Sequence, residues 1–372
     1  MNIDIAIIGA GPAGLMAAIH AGKLGARVLL IERAEYYGGQ LIKQTHKFFG
    51  SKSEYAGERG IDIAALLVKE ALAIPNVTAW NNATVLGYYQ EDGILTVKRQ
   101  DTFVTINAKK IIVASGASEK TLAFPGNDLP GVYGAGAVQT LMNVYGVMPG
   151  KRLLMVGAGN IGLIVAYQLL QAGVEVAGII EASPKIGGYL VHAAKIRRAG
   201  IPIYTNHTVK AAYGSPALTG ATICQLDANW QPIPGTEIDI QADGLCLAVG
   251  LTPLTELLWQ AGCKMAFVPE LGGYVPFRNS NLLTSHPNIY VAGDVAGVEE
   301  ASAAMIEGKL AGLAAAASLE QTATAVPEDY DEAQNQLAAL RAGSVSAKIR
   351  SGLAKVTIAN PSESLCEVKC HA

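Results

Sequence analysis

A chain of 372 residues is long enough for two or three domains, each able to bury its own core. Half of its residues are hydrophobic and 16% are charged, which excludes a disordered polymer and suits a well-buried α/β protein. The formal net charge of −3, without a basic patch, excludes a general attraction to nucleic acid or to an anionic membrane, and no apolar stretch reaches the roughly 20 residues that span a bilayer.

Met1 leads almost at once into Ile3 to Ile8, an apolar run with one acidic interruption that predicts a parallel strand buried on both faces. No room is left for a signal peptide, so a cytoplasmic protein is expected. Gly9, Gly11 and Gly14 follow as G-x-G-x-x-G at the strand-to-helix junction. The first glycine allows the tight turn, the second lets the backbone approach a pyrophosphate, and the third lets the helix pack on the strand. The phosphates then face the unpaired N–H groups of the helix N-terminus. A second strand, Arg27 to Ile31, ends in Glu32, where a carboxylate accepts from both hydroxyls of an adenosine ribose and repels a 2′-phosphate. Gly38, Gly39 and Gln40 complete the unit.

From Ile42 to Gly50 the chain is polar and aromatic without period, and a loop is predicted. Beyond a flavin-binding turn such a loop can cover the isoalloxazine, which makes Gln40, Lys43 and His46 candidates for its reactive edge, although a packing or surface role is the commoner one for a histidine. A helix over Ile61 to Leu72 and strands at Val77 to Trp80, Thr84 to Tyr89, Ile94 to Arg99 and Phe103 to Ile106 follow. A separate buried strand is expected from Lys110 to Ala117, with Gly116 letting the chain pass close to a nucleotide. Pro125-Gly126 and Pro130-Gly131 mark the exit from this domain.

After a helix near Ala135 to Val144 and a strand from Arg152 to Val156, the opening pattern returns as Gly157, Gly159, Asn160 and Gly162. A strand from Val174 to Ile180 ends in a second acid, Glu181, and Gly187-Gly188 answers Gly38-Gly39, with one residue of slip near the second strand. Leu245 to Gly250 answers Ile111 to Gly116. Self-similarity at this scale indicates two dinucleotide-binding domains. The segment Asn288 to Asp294 is a buried strand ending in Gly293-Asp294 before an alanine-rich helix from about Ala301. Alone, Gly-Asp before a helix is usually a cap; with two fingerprints it fits the ribityl and pyrimidine end of a flavin.

The expected fold class is therefore α/β with two Rossmann-like domains, the second inserted into the first, and a short C-terminal extension. An FAD-binding domain is assigned to 1–120 and 246–320, an NAD(H)-binding domain to 121–245, and the extension, a candidate partner contact, to 321–372 with a helix at about Asp329 to Ala342. Of the five cysteines, Cys246 sits in an apolar strand and reads as core. Cys366 and Cys370 near His371 are weak candidates for metal or iron–sulfur ligands, because a complete cluster needs four.

These features resemble the flavoproteins with two dinucleotide-binding domains, the wider group of thioredoxin-reductase-like proteins. Leu129 to Thr140 (LPGVYGAGAVQT), Gly250 to Leu257 (GLTPLTEL), Leu271 to Pro276 (LGGYVP) and Val291 to Gly297 (VAGDVAG) are similar to the flavoprotein subunit of hydrogen cyanide synthase, opine oxidase and two-component proline dehydrogenases. That resemblance implies an FAD site at Gly9, Gly11, Ala13, Gly14, Glu32, Gly39, Gln40, Val85, Gly116, Gly293 and Asp294. It implies an NAD site at Gly157, Gly159, Asn160, Gly162 and Glu181. The chain departs from its relatives in two ways: only Cys366 and Cys370 stand where several carry a cysteine-rich [2Fe–2S] domain, and no C-x-x-C occurs, against disulfide reduction by that route. The implied activity is electron transfer between NAD(H) and a partner flavoprotein or ferredoxin-like iron–sulfur subunit in amino acid or amine oxidation, in a homo- or hetero-oligomer. The flavin carries the chemistry, so no catalytic side chain is required. A self-contained NAD(P)H-dependent flavin reductase or oxidase, and a scaffold holding a permanent adenine nucleotide, share every motif.

Overall fold

The computed structural model describes residues 1–320 and 327–359 and divides into two compact units. Unit one comprises 1–42, 47–118 and the chain from 252 onward; unit two comprises 43–46 and 119–251.

Unit one is built on a seven-stranded sheet. Strands β1 (Asn2–Ile8), β2 (Val28–Ile31) and β3 (Val77–Trp80) are parallel neighbours, and β1 also pairs in parallel with β6 (Thr102–Val113). The far end of β6 pairs in parallel with Ile289–Val291, while its first half pairs antiparallel with β5 (Ile94–Arg99), itself paired with β4 (Ala83–Tyr89). The sequence places two strands here; the structure has one, because the polar stretch at Asn107 to Lys110 keeps its ladder while its outward side chains meet solvent.

Helix α1 (Pro12–Lys23) covers one sheet face together with the helices Gly60–Leu72 and Ala301–Ala317. The last is buried nearly all round, which explains why it is apolar on every side. It lies against α1 at backbone distance: a Cβ on Gly308 would sit 2.1 Å from Ala13 O, and one on Gly312 would sit 2.5 Å from Ala17 O. The Pro327–Arg341 helix packs on the outer side of Ala301–Ala317. Described residues of the expected C-terminal extension are therefore part of unit one, and Cys366 and Cys370 lie outside the described residues.

Unit two repeats the arrangement with a parallel sheet in the order Ile203–Thr205, Glu175–Glu181, Arg152–Val156, Gly244–Leu247, Val132–Gly134. The helix Asn160–Gln171 takes the place of α1, and a three-stranded antiparallel sheet covers part of the domain. Gly244–Leu247 lies between two strands of unit two, so the sequence boundary at residue 246 is too early; unit two extends to Leu251. Cys246 is fully buried in that strand and, with Cys224 and Cys263, is a free core thiol; burial raises the pKa of each.

Candidate functional site

In unit one the chain turns sharply where β1 ends. Gly9 has φ +100°, and a Cβ there would lie 2.3 Å from Ala114 O; one on Gly14 would lie 1.8 Å from Gly9 O. Both glycines are demanded by the fold itself. Gly11 differs: it caps α1 in an ordinary extended conformation, and a Cβ on it would meet only Gly39 Cα, at 3.8 Å. Nothing among the described residues requires a glycine at that position. The space above it faces the first N–H groups of α1, the arrangement that receives a pyrophosphate.

Glu32 at the end of β2 closes this cradle. One carboxylate oxygen accepts from Ala10 N at 2.8 Å and the other from Ala34 N at 2.9 Å. Each oxygen keeps a second lone pair for a ribose hydroxyl. Gly38 N donates to Ala10 O at 2.8 Å, tying the next turn to the same loop.

Unit two reproduces these bonds atom for atom. Glu181 accepts from Ala158 N at 2.8 Å and from Ser183 N at 2.9 Å. Gly188 N donates to Ala158 O at 2.9 Å, so Gly38 corresponds to Gly188 rather than to Gly187, one residue beyond the sequence alignment. Gly157 and Gly162 are again sterically required, with Cβ positions 2.3 Å from Ala248 O and 2.0 Å from Gly157 O, whereas nothing lies within 4 Å of a Cβ on Gly159. Asn160 holds the neighbouring turn, its Oδ1 accepting from Tyr189 N at 2.8 Å.

Two glycines left open at equivalent points of two cradles fit the phosphates of two dinucleotides. The family profile described as pyridine nucleotide-disulphide oxidoreductase matches residues 3–308. The chain belongs to that family.

An opine oxidase chain from Agrobacterium tumefaciens is 29% identical over 86% of this chain and 67% of its own length. The HcnB component of hydrogen cyanide synthase from Pseudomonas protegens is 29% identical over 84% of this chain and 70% of its own. Among solved structures, L-proline dehydrogenase from P. horikoshii superposes with a TM-score of 0.70 and 25% identity, over 90% of this chain and 59% of that one. Thioredoxin reductase from T. acidophilum gives 0.70 and 25%, over 85% and 98%. The chain has the FAD/NAD(P)-binding fold of a flavin-dependent oxidoreductase.

The remaining expected FAD residues all lie in unit one. Ala13 is small because Gly293 packs on it, a Cβ at Gly293 lying 3.0 Å from Ala13 Cβ. The matching position in unit two, Ile161, is 42% exposed. Gly39 lies over Gly11, and Gly116 has φ +76° with open space beside it. Val85 is half-buried in β4, and Gln40 is exposed on a short 3-10 helix, Gly39–Lys43, which runs into the first two residues of the expected loop.

Lys43 and His46 belong to unit two. The Lys43 amino group donates to Gly136 O at 3.1 Å beside Glu119, and Asn143 Nδ2 donates to Lys43 O at 2.7 Å. Burial lowers the pKa of Lys43 and brings His46 to about 4, with His192 and Lys195 adding to the latter shift. His46 is thus a neutral imidazole at physiological pH.

Asp294 retains some accessible surface, but its carboxyl lies deep in the protein, and burial pushes its pKa up to about 7, with Glu307 and Glu299 reinforcing the shift. The folded value exceeds the unfolded 3.8, so folding favours the neutral acid. That stabilisation is complete below about pH 4 and is lost as pH rises through 7, on the order of 4 kcal/mol in all. In FAD-free protein, Asp294→Asn is therefore expected to gain stability relative to wild type between pH 4 and pH 7. Parallel pH profiles of chemical denaturation for the two proteins would disprove this environment for Asp294.

Sequence patterns do not single out the residues around this carboxyl. Glu307 Oε2 accepts from Gly293 N at 2.9 Å, and Arg341 bridges Glu299 and Glu307 with contacts of 2.6 Å to each. Among the described residues no group of three or more His, Cys, Asp or Glu is placed to hold a metal, and no helix is long and apolar enough to cross a membrane.

Proposed function

We propose that this protein is the electron-transferring subunit of an amine- or amino-acid-oxidising complex, holding FAD in unit one and NAD(H) in unit two. The observation that carries the reading is the duplicated clamp: the same carboxylate-to-amide bonds at Glu32 and Glu181, each beside a glycine whose Cβ position is free. Gly11 and the first turn of α1 would hold the FAD pyrophosphate, Glu32 the adenosine ribose, and Asp294 a hydroxyl of the ribityl chain. Gly159 and Glu181 would do the same for the second nucleotide. Bound there, FAD supplies an acceptor for hydride and a donor of single electrons. The chain's own part is to orient the two cofactors, exclude water and set the electrostatic field through the carboxyls near Asp294. Relatives named as subunits of opine oxidase and sarcosine oxidase, and a structural neighbour named L-proline dehydrogenase, support amine chemistry within a multi-subunit enzyme; the electron partner in this reading is a flavoprotein or an iron–sulfur protein.

Anaerobic mixing of FAD-loaded protein with NADH tests this. Flavin bleaching within seconds, lost in Gly159→Val while FAD content stays complete, is the expected result. Slow, second-order bleaching indifferent to Gly159→Val would leave unit two as a holder of a structural nucleotide and defeat the proposal. Turnover of NADH with oxygen or dyes by the purified chain alone, as fast as with any partner, would instead mark a self-contained reductase.

A further inference from the structure

We propose that Arg341 is a positioning residue for the flavin-side turn at Gly293–Asp294, acting through Glu307. This rests on the FAD reading of unit one and adds to it a residue from beyond the family-matched region, which ends at residue 308.

The connection is continuous. Arg341 closes the Pro327–Arg341 helix, and its guanidinium reaches both carboxylates that border the turn: Nε and one terminal nitrogen meet Glu299 at 3.0 and 2.6 Å, and the same terminal nitrogen meets Glu307 at 2.6 Å. The side chains of Arg341, Glu299 and Glu307 are only 15%, 11% and 4% exposed. The other oxygen of Glu307 accepts the Gly293 N–H at 2.9 Å, and Glu299 N donates to Asp294 Oδ1 at 3.3 Å. Gly293 in turn packs on Ala13, two residues past Gly11. A movement of Glu307 is therefore felt at the cradle.

Charge decides what happens without Arg341. Among the described residues, Glu299 and Glu307 would then have to share the field of Arg278, which is 2% exposed and donates one of its hydrogen bonds to Pro276 O at 3.3 Å, while the nearby Asp294 carboxyl adds no positive charge. Buried carboxylates left with too little positive charge take up protons or move towards water. Either response weakens the bond from Gly293 N–H, and the turn loses its fixed place.

A role confined to fastening the outer helix predicts something different. Gln at position 307 keeps an oxygen for Gly293 while removing one negative charge, so a charge-based role is repaired by it and a packing role is not. The experiment is titration of apo-protein with FAD, read by flavin fluorescence, for wild type, Arg341→Met and Arg341→Met/Glu307→Gln. Arg341→Met is expected to raise the FAD dissociation constant at least tenfold, and the double variant to recover most of that loss. Wild-type affinity in Arg341→Met overturns the proposal, as does a double variant no better than the single one. Should Arg341→Met not fold, Glu307→Leu takes its place: it leaves Arg341 paired with Glu299, removes the acceptor for Gly293 N–H, and is expected to show the same tenfold loss. An unchanged constant in Glu307→Leu would also overturn the proposal. Wild-type protein that binds no FAD defeats the underlying reading as well, whereas tight wild-type binding that is indifferent to these variants defeats the positioning role alone.

Discussion

Gly11→Val is expected to yield folded protein that has lost its FAD. The glycines of the first fingerprint are constrained by different things, and the variant separates them. A Cβ on Gly14 would have to occupy a point 1.8 Å from Gly9 O, so Gly14→Ala forces the turn or helix to shift, at a cost on the order of 1–3 kcal/mol or more before any ligand is considered. At Gly11 the backbone is extended, with φ −76° and ψ −172°, and the nearest atom to a Cβ is at van der Waals distance. Valine there loses only the helix-cap preference for glycine, about 1 kcal/mol. Its side chain enters the space over the first N–H groups of α1, where the pyrophosphate must come. Gly11→Val should therefore purify colourless with a melting temperature close to that of wild-type apo-protein, while Gly14→Ala lowers the melting temperature itself. A yellow Gly11→Val protein with one FAD per chain would show that the pyrophosphate does not lie there.

Such a separation cannot be read from the fingerprint, in which the three glycines look alike. What the sequence carries well is local: apolar runs, sharp turns and the acid at the end of the second strand each depend on neighbours within about thirty residues, and Glu32 and Glu181 lie where the pattern predicts. What it carries poorly depends on partners far along the chain. Lys43 and His46 follow the first cradle in sequence, yet 43–46 belongs to unit two, where Gln168 Nε2 donates to Thr45 Oγ1 at 2.8 Å. Glu307 is a charge within an alanine-rich helix, and nothing in the local sequence points to Arg341, 34 residues later, which pairs with it. Gly308 and Gly312 are lost among alanines, although their spacing lets α1 approach to backbone contact. Sequence patterns divide strand β6 because alternation in its outer half and continuous burial in its inner half have different periods, and one strand spans both environments.

The second large effect is expected at Glu181, which should make the protein choose NADH over NADPH. Its carboxylate already accepts Ala158 N–H and Ser183 N–H, which fixes it at the end of its strand with a lone pair on each oxygen left for a further donor. The following residues, Ala182, Ser183 and Pro184, supply no cation for a 2′-phosphate, and Lys185 is an exposed residue on the turn towards Gly187. Repulsion between one carboxylate and a phosphate in a partly solvated site is worth on the order of 1 to 4 kcal/mol, a preference of roughly fivefold or more. The clamp complicates the simplest variant, because Glu181→Ala removes the charge and also releases the Ala158 and Ser183 amides, so it should weaken both nucleotides while narrowing the gap between them. Glu181→Gln keeps an acceptor for one of those amides and removes the charge; it should narrow the gap with less loss for NADH. Ala182→Arg combined with Glu181→Gln should reverse the preference by placing a guanidinium beside the 2′-position. The comparison is the rate of flavin reduction by NADH and NADPH at matched concentrations in each protein. Equal rates in wild type, or a Glu181→Gln protein that retains the whole NADH preference, would mean that this carboxylate serves the turn at Ala158 and does not read the ribose.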